Sequence, residues 1–136
     1  MKKIDENEHK LLAIWAADCA EHVLSLFEDY YPDDDRPRKA IEAARAWVSG
    51  NLKMTKARKF AFAAHAAARD AIRPESIAAA RSAGHAAATV HVPSHAKYAA
   101  SYAAKSTIDT KNEIDWQLQK LPDNLKAMMQ LYKKLE

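Results

Sequence analysis

The sequence predicts an all-α protein, a single-domain bundle of about six to seven helices over residues 1–136 with alanine-rich close packing. The chain contains only two glycines and five prolines, too few for the closely spaced turns of a β-rich domain. Alanine, the strongest helix former, supplies much of the 49% apolar fraction. We therefore expect one core, built from close helix contacts rather than from large side chains.

The first helix is predicted over residues 5–31, because apolar residues recur there every three or four positions. Asp18, Glu21 and His22 share one edge of this helix, a spacing that suits structural contacts or metal ligands. Cys19 lies in the apolar stripe, so we expect a buried, unreactive thiol.

A loop with three consecutive aspartates leads to the second helix, predicted over residues 37–49. Asp35 is the expected N-cap, and Gly50 is the expected C-terminal cap. Arg38 and Arg45 lie along one side of this helix. The aspartate loop is either a solvated connection, an acidic recognition loop or a weak cation site.

Two alanine-rich helices follow, predicted over residues 56–72 and 77–92. Thr55 is the expected cap of the first, and Pro74 interrupts the chain between them. Gly84 costs helix stability, which indicates a close approach at that position. The polar residues along the two helices are His65 and Arg69 on the first, and Arg81, His85 and Thr89 (or Ala88) on the second.

The first four of these polar residues are expected to be close together and hydrogen-bonded, since isolated burial of a polar group is costly. His91 and His95 follow four residues apart but on either side of Pro93, so they need not share a face. The remaining helices are predicted over residues 95–108, 110–121 and 124–135, with Ser94 as a cap.

The charge is distributed unevenly along the chain. Residues 1–35 carry a net charge of −7, residues 36–105 carry +10, and residues 106–136 are balanced. A basic middle could meet nucleic acid or an acidic protein, or the acidic first segment could fold against it and neutralise it. No specific binding of nucleic acid is expected, because the arginines alternate with alanine and no helix-turn-helix pattern occurs.

Several classes of site are absent from the sequence. A single cysteine leaves no internal disulfide and no cysteine-cluster metal site, and no phosphate-binding loop or His-Glu-x-x-His motif occurs. We therefore expect no metal and no cofactor. No apolar run reaches the roughly 20 residues of a membrane span, and the N-terminus turns acidic where a signal peptide turns apolar. These features predict a cytoplasmic protein without membrane contact.

Four segments carry a family resemblance: DCAEHVL at 18–24, PRKAIEAARAW at 37–47, AHAAAR at 64–69 and ARSAGHAAAT at 80–89. Together they resemble the Imm-5 like immunity proteins of bacterial polymorphic toxin systems, over about residues 10–121. The resemblance implies a cytoplasmic protein that binds a cognate toxin domain and blocks it. It brings no catalytic residues.

Three functions remain open at this point. A toxin-binding protein could use the acidic first segment against a basic toxin, or the basic middle against an acidic one. A small metal-binding or hydrolytic enzyme could use a cluster of histidines and carboxylates. A structural or oligomeric module, including a homodimer, could use the alanine faces. The enzyme would draw on Asp18, Glu21, His22, His65, His85, His91 and His95.

Overall fold

The computed structural model describes residues 4–127 and contains seven complete helices and the start of another in that range, with no β-strand there. This confirms the all-α prediction. The helices are α1 (Glu6–His22), α2 (Ser25–Glu28), α3 (Arg36–Val48), α4 (Met54–Asp70), α5 (Pro74–Ala88), α6 (His95–Ser106) and α7 (Thr110–Lys120). A further helical stretch begins at residue 123 and continues to residue 127. The rest of the helix predicted over residues 124–135 lies outside the described residues.

Helix α5 occupies the centre of the bundle. It packs between α4 and α6, while α1 and α3 cover the inner side of these three helices and α7 packs against α6. The inner side of α5 consists of small residues with almost no exposed surface, so neighbouring helices approach closely. These residues include Ala79, Ala80, Ser82, Ala83, Ala86 and Ala87. The alanine-rich packing predicted from composition is therefore present.

Buried polar groups connect the helices across this tight core. The Ser82 hydroxyl on α5 donates a 2.6 Å hydrogen bond to the Ala99 carbonyl on α6. The Gln117 amide on α7 donates to the Ala100 carbonyl at 2.8 Å, and the Trp15 indole on α1 donates to the Gln117 carbonyl at 2.8 Å. Each buried donor is satisfied, so these bonds fix α6 and α7 relative to α1 and α5.

The prediction of one helix over residues 5–31 was wrong, because α1 ends at His22 and α2 is a separate short turn. Neither proline nor glycine causes the break. The backbone there makes i to i−3 hydrogen bonds, and the Ser76 hydroxyl of α5 donates a 2.6 Å bond to the Leu26 carbonyl. Tertiary contacts with α5 thus stabilise a turn that local sequence does not signal.

Several helix ends also differ from the predictions. Asp35 is at the N-cap of α3, but its side chain makes no capping bond; the Asp34 carboxylate accepts the Arg36 N–H instead. Helix α4 begins at Met54, so Thr55 is not its cap. Gly50 has a φ of +81° directly after α3, as expected for a C-terminal glycine.

Candidate functional site

The outer side of α4, α5 and α6 carries a continuous polar and aromatic surface, here called the histidine face. It faces away from α1 and α3, and it places three of the predicted histidines side by side. Its members are His65 and Arg69 on α4, Arg81 and His85 on α5, and His95, Tyr98, Tyr102 and Lys105 on α6.

A chain of contacts crosses the histidine face from α4 to α6. Arg81 Nη1 donates a 3.1 Å hydrogen bond to His65 Nδ1, and the His65 and His85 rings meet edge to face at 4.9 Å. His85 Nδ1 lies 3.0 Å from His95 Nδ1, so one of these two nitrogens carries the shared proton. The His85 ring also stacks on Tyr102 at 5.3 Å with an angle of 7°.

Gly84 makes room for the first histidine of this chain. A Cβ atom at residue 84 would lie 2.7 Å from the Cε1 and Nε2 atoms of His65. The close approach that the sequence indicated at Gly84 is therefore made by a histidine ring of the neighbouring helix, rather than by its backbone.

The histidines of this face are held in their neutral form. Burial, followed by the charges of Arg81 and Arg69, lowers the pKa of His65 to about 4. Burial, followed by the neighbouring His65 and His95, lowers the pKa of His85 to about 3. Burial also lowers the pKa of His95. The positive charge of the surface at neutral pH therefore comes from its arginines and lysine.

The four residues expected to cluster behave unequally. The structure brings His65, Arg81 and His85 together through direct contacts. Arg69 is exposed and lowers the His65 pKa through its charge, but it makes no hydrogen bond within the described part of the chain. Thr89 does not belong to this surface: it is fully buried, and its carbonyl accepts a 2.7 Å bond from His9 Nε2. Ala88, which was predicted as the alternative to Thr89 in the polar line along this helix, is partly exposed.

His91 is separated from His95 and lies near Arg58 and His9. Burial, and then the charges of these two residues, lowers its pKa. Its Nε2 atom is buried and has no hydrogen-bond partner among residues 4–127. The proline between His91 and His95 thus separates the two side chains, and only His95 reaches the histidine face.

A second polar cluster lines an open groove of about 500 Å³ beside α1, α3 and α7. Arg45 on α3 donates to the Asp18 carboxylate at 3.1 Å and also to the Glu21 carboxylate. His22 donates from Nδ1 to Glu113 at 2.7 Å and stacks on Trp116 at 3.6 Å. We call this the α1–α7 groove. Its lining residues are Asp18, Glu21, His22, Arg45, Trp116 and Lys120.

Glu113 was not among the predicted site residues. Glu113 and Gln117 are only 6% and 4% exposed, whereas Leu118 on the same helix is 40% exposed. The four-residue spacing of Glu113, Gln117 and Leu121 was the available signal. Polar residues on a buried helix side mark hydrogen-bonded contacts, here to His22 and to the backbone of α6.

The acidic first segment is partly matched by basic residues of α3. Arg36 pairs with Asp34 at 2.7 Å and with Asp70 at 2.9 Å, and the Arg36 side-chain hydrogen bond lowers the pKa of Asp34. Arg38 pairs with Glu28 at 2.5 Å, and Lys39 pairs with Asp35 at 3.3 Å. The structure therefore shows part of the internal neutralisation that the charge distribution allowed.

Neither cluster has the geometry of a metal centre. Among the residues that the structure describes, no group of three or more His, Cys, Asp or Glu side chains could hold a metal ion. Asp18 and Glu21 bind Arg45, whereas His22 turns to Glu113, so the three side chains do not converge. Over the same residues, no helix is long and apolar enough to cross a bilayer.

The fold and these surfaces define a small all-α bundle with two accessible polar clusters on a closely packed alanine core. The chain belongs to the family described as "Imm-5 like putative immunity protein", whose model matches residues 2–124. The match includes both clusters. No curated protein and no solved structure matches the chain.

Proposed function

We propose that the protein is an immunity protein that binds a cognate toxin domain of a bacterial polymorphic toxin system and blocks it in the cytoplasm. The family match over residues 2–124 carries the proposal. A blocking mechanism requires only a stable surface complementary to the toxin, and this fold offers such a surface on a tightly packed core.

The composition of the exposed clusters supports binding between proteins. Tyrosine, tryptophan and arginine are the residues that dominate binding energy at protein interfaces. The histidine face presents Tyr98, Tyr102 and two arginines, and the α1–α7 groove presents Trp116. The histidines and Arg81 are held by contacts between helices, so these side chains lose little entropy on binding.

The proposal is tested by expressing the toxin domain encoded beside the gene, with and without this protein. We expect this protein to restore growth and to co-purify with the toxin domain as a stable complex. A toxin domain of unrelated sequence is the control and should neither be neutralised nor captured. Persistent toxicity with no complex would contradict the proposal.

One observation favours a second candidate, hydrolysis in the α1–α7 groove. The Glu113 carboxylate fixes His22 through Nδ1, an arrangement that orients an imidazole for general base catalysis by Nε2. The substitution His22→Gln separates the two functions, since it removes the base and retains a polar side chain. If the His22→Gln variant still protects cells from the toxin, the binding function is supported. If the variant still forms the complex but no longer protects cells, catalysis is supported.

A further inference from the structure

We infer that the histidine face is the surface that docks the toxin, and that the toxin presents a carboxylate-bearing segment to Arg69 and Arg81. This inference rests on the proposed function and assigns its surface and the chemistry of its partner. It also places the toxin-binding surface in the basic middle of the chain and not in the acidic first segment.

The arginines of α3 and those of the histidine face differ in their partners. The arginines of α3 and of the α4–α5 connection each bind carboxylates of this chain; they are Arg36, Arg38, Arg45 and Arg73. Arg69 and Arg81 have no carboxylate partner within residues 4–127. A guanidinium has five N–H donors, and Arg81 directs one of them to His65. The remaining donors suit a carboxylate supplied from outside.

The side chains around Arg69 and Arg81 are neutral or basic. His65 faces Arg81 from α4, His85 lies beside it on α5, and His95 completes the row from α6. The row is flanked on α6 by Tyr98, Tyr102 and Lys105. None of the residues that define the histidine face is acidic. An arriving carboxylate would meet cations and neutral imidazoles that can bind a proton, and therefore no repulsion.

A protein segment suits this face better than a single-stranded nucleic acid. Single-stranded nucleic acids bind in positively charged grooves that follow the phosphate backbone over several nucleotides. The histidine face carries three cations, Arg69, Arg81 and Lys105, and its imidazoles are neutral, so it does not form such a continuous positive groove. Phe62, on the same side of α4 as His65 and Arg69, is 64% exposed and offers apolar contact. A folded toxin surface with a carboxylate beside apolar side chains matches this combination.

The test measures the affinity of purified, catalytically inactive toxin domain by calorimetry for the wild-type chain and two charge-reversal variants. Arg69→Glu places a negative charge on the histidine face, and because Arg69 is exposed the fold should be retained. Lys59→Glu is the matched control, on an exposed position of α4 about 120° around the helix from His65. We expect Arg69→Glu to weaken binding at least about tenfold and Lys59→Glu by less than about twofold.

A second readout is the exchange of protons on binding. A carboxylate docked against the neutral histidines raises their pKa, so the complex takes up protons. Calorimetry in buffers of different ionisation enthalpy should therefore show net uptake by the wild-type chain near pH 5, and less uptake by His65→Asn. Proton release on binding would overturn the inference.

The remaining outcomes separate this inference from the proposed function. If the wild-type chain neither binds nor neutralises the toxin domain, the proposed function fails. If the wild-type chain binds and both charge-reversal variants bind equally well, the function stands and the histidine face is not the docking surface. If single-stranded DNA binds with the same sensitivity to Arg69→Glu, the assignment of a carboxylate partner is overturned.

Discussion

Arg81 and His65 form a 3.1 Å hydrogen bond from Nη1 to Nδ1 that joins α5 to α4 on the outer side of the bundle. Because arginine only donates, His65 Nδ1 must be the acceptor, which places the imidazole proton on Nε2. The Nε2 edge of the same ring lies over Gly84. The position of the His65 ring therefore explains why residue 84 is a glycine and why the His65 proton is on Nε2. The charge of Arg81 beside the ring also helps to keep His65 neutral.

Replacing Gly84 by alanine should destabilise the protein by about 1 kcal/mol, although the same change in an open helix stabilises by a similar amount. The new Cβ would lie 2.7 Å from the His65 ring, which must move and give up its bond to Arg81. Urea unfolding of the wild-type and variant chains measures the difference in the free energy of unfolding.

The control is a double-mutant cycle with His65→Ala. Without the ring, Gly84→Ala should recover the ordinary gain from helix propensity, up to about 1 kcal/mol. If Gly84→Ala has the same effect with and without the His65 ring, the close contact does not determine the choice of glycine.

Acidification should weaken the fold through the histidine face. His65 and His85 have folded-state pKa values of about 4 and about 3, below the ordinary value of 6.5. Since the unfolded chain binds protons more readily, their contribution is complete above pH 6.5 and is lost as the pH falls towards 4. Between pH 7 and pH 5 we expect a loss on the order of 1 kcal/mol per histidine, reduced from the full value by solvent around the half-buried rings.

Urea unfolding at the two pH values checks this expectation, and His85→Asn isolates the histidine contribution from that of the carboxylates. The variant should lose less stability between pH 7 and pH 5 than the wild-type chain. An equal loss in both chains would show that His85 does not contribute to the pH dependence.

The helical fold could be predicted from the sequence because alanine-rich periodic segments specify helices locally. The breaks at Gly50 and Pro74 follow from the backbone preferences of these residues, and both were predicted correctly. The end of α1 at His22 could not be predicted, because no proline or glycine marks it and the Ser76 bond to the Leu26 carbonyl in the following turn comes from α5. Long-range contacts of this kind leave no periodic signal.

The candidate site was only partly visible for a related reason. Helical spacing places Arg81 and His85 on one side of α5, and the alanine surroundings suggest that His65 lies near them. Whether a polar residue points outwards or inwards depends on the neighbouring helices, however. Thr89 follows the same spacing and is buried, while Glu113 looks like a surface residue and is also buried. Spacing along a helix predicts on which side of the helix a residue lies. It does not predict whether a neighbouring helix buries that side.

Cys19 should be unreactive in the native protein. Burial, followed by the charges of Glu113 and Asp18, raises the pKa of its thiol well above the ordinary value, so the reactive thiolate is suppressed. Incubation of the native chain with a thiol reagent at pH 8 should label no cysteine, whereas the chain unfolded in urea should label at its single cysteine. Rapid labelling of the native chain would contradict the buried position of Cys19 and expose it as a site for chemistry.

Ser76→Ala should test the contact that separates α1 from α2. The Ser76 side chain is fully buried and its hydroxyl donates a 2.6 Å bond to the Leu26 carbonyl, so its removal leaves a carbonyl without a protein donor. We expect a loss of about 1–2 kcal/mol in the free energy of unfolding. Ser49→Ala is the matched control, since the exposed Ser49 hydroxyl donates to the Ala46 carbonyl at 3.1 Å and water can replace it. The control should change stability by less than about 0.5 kcal/mol, and equal effects of the two substitutions would rule out a special role for Ser76 in the turn.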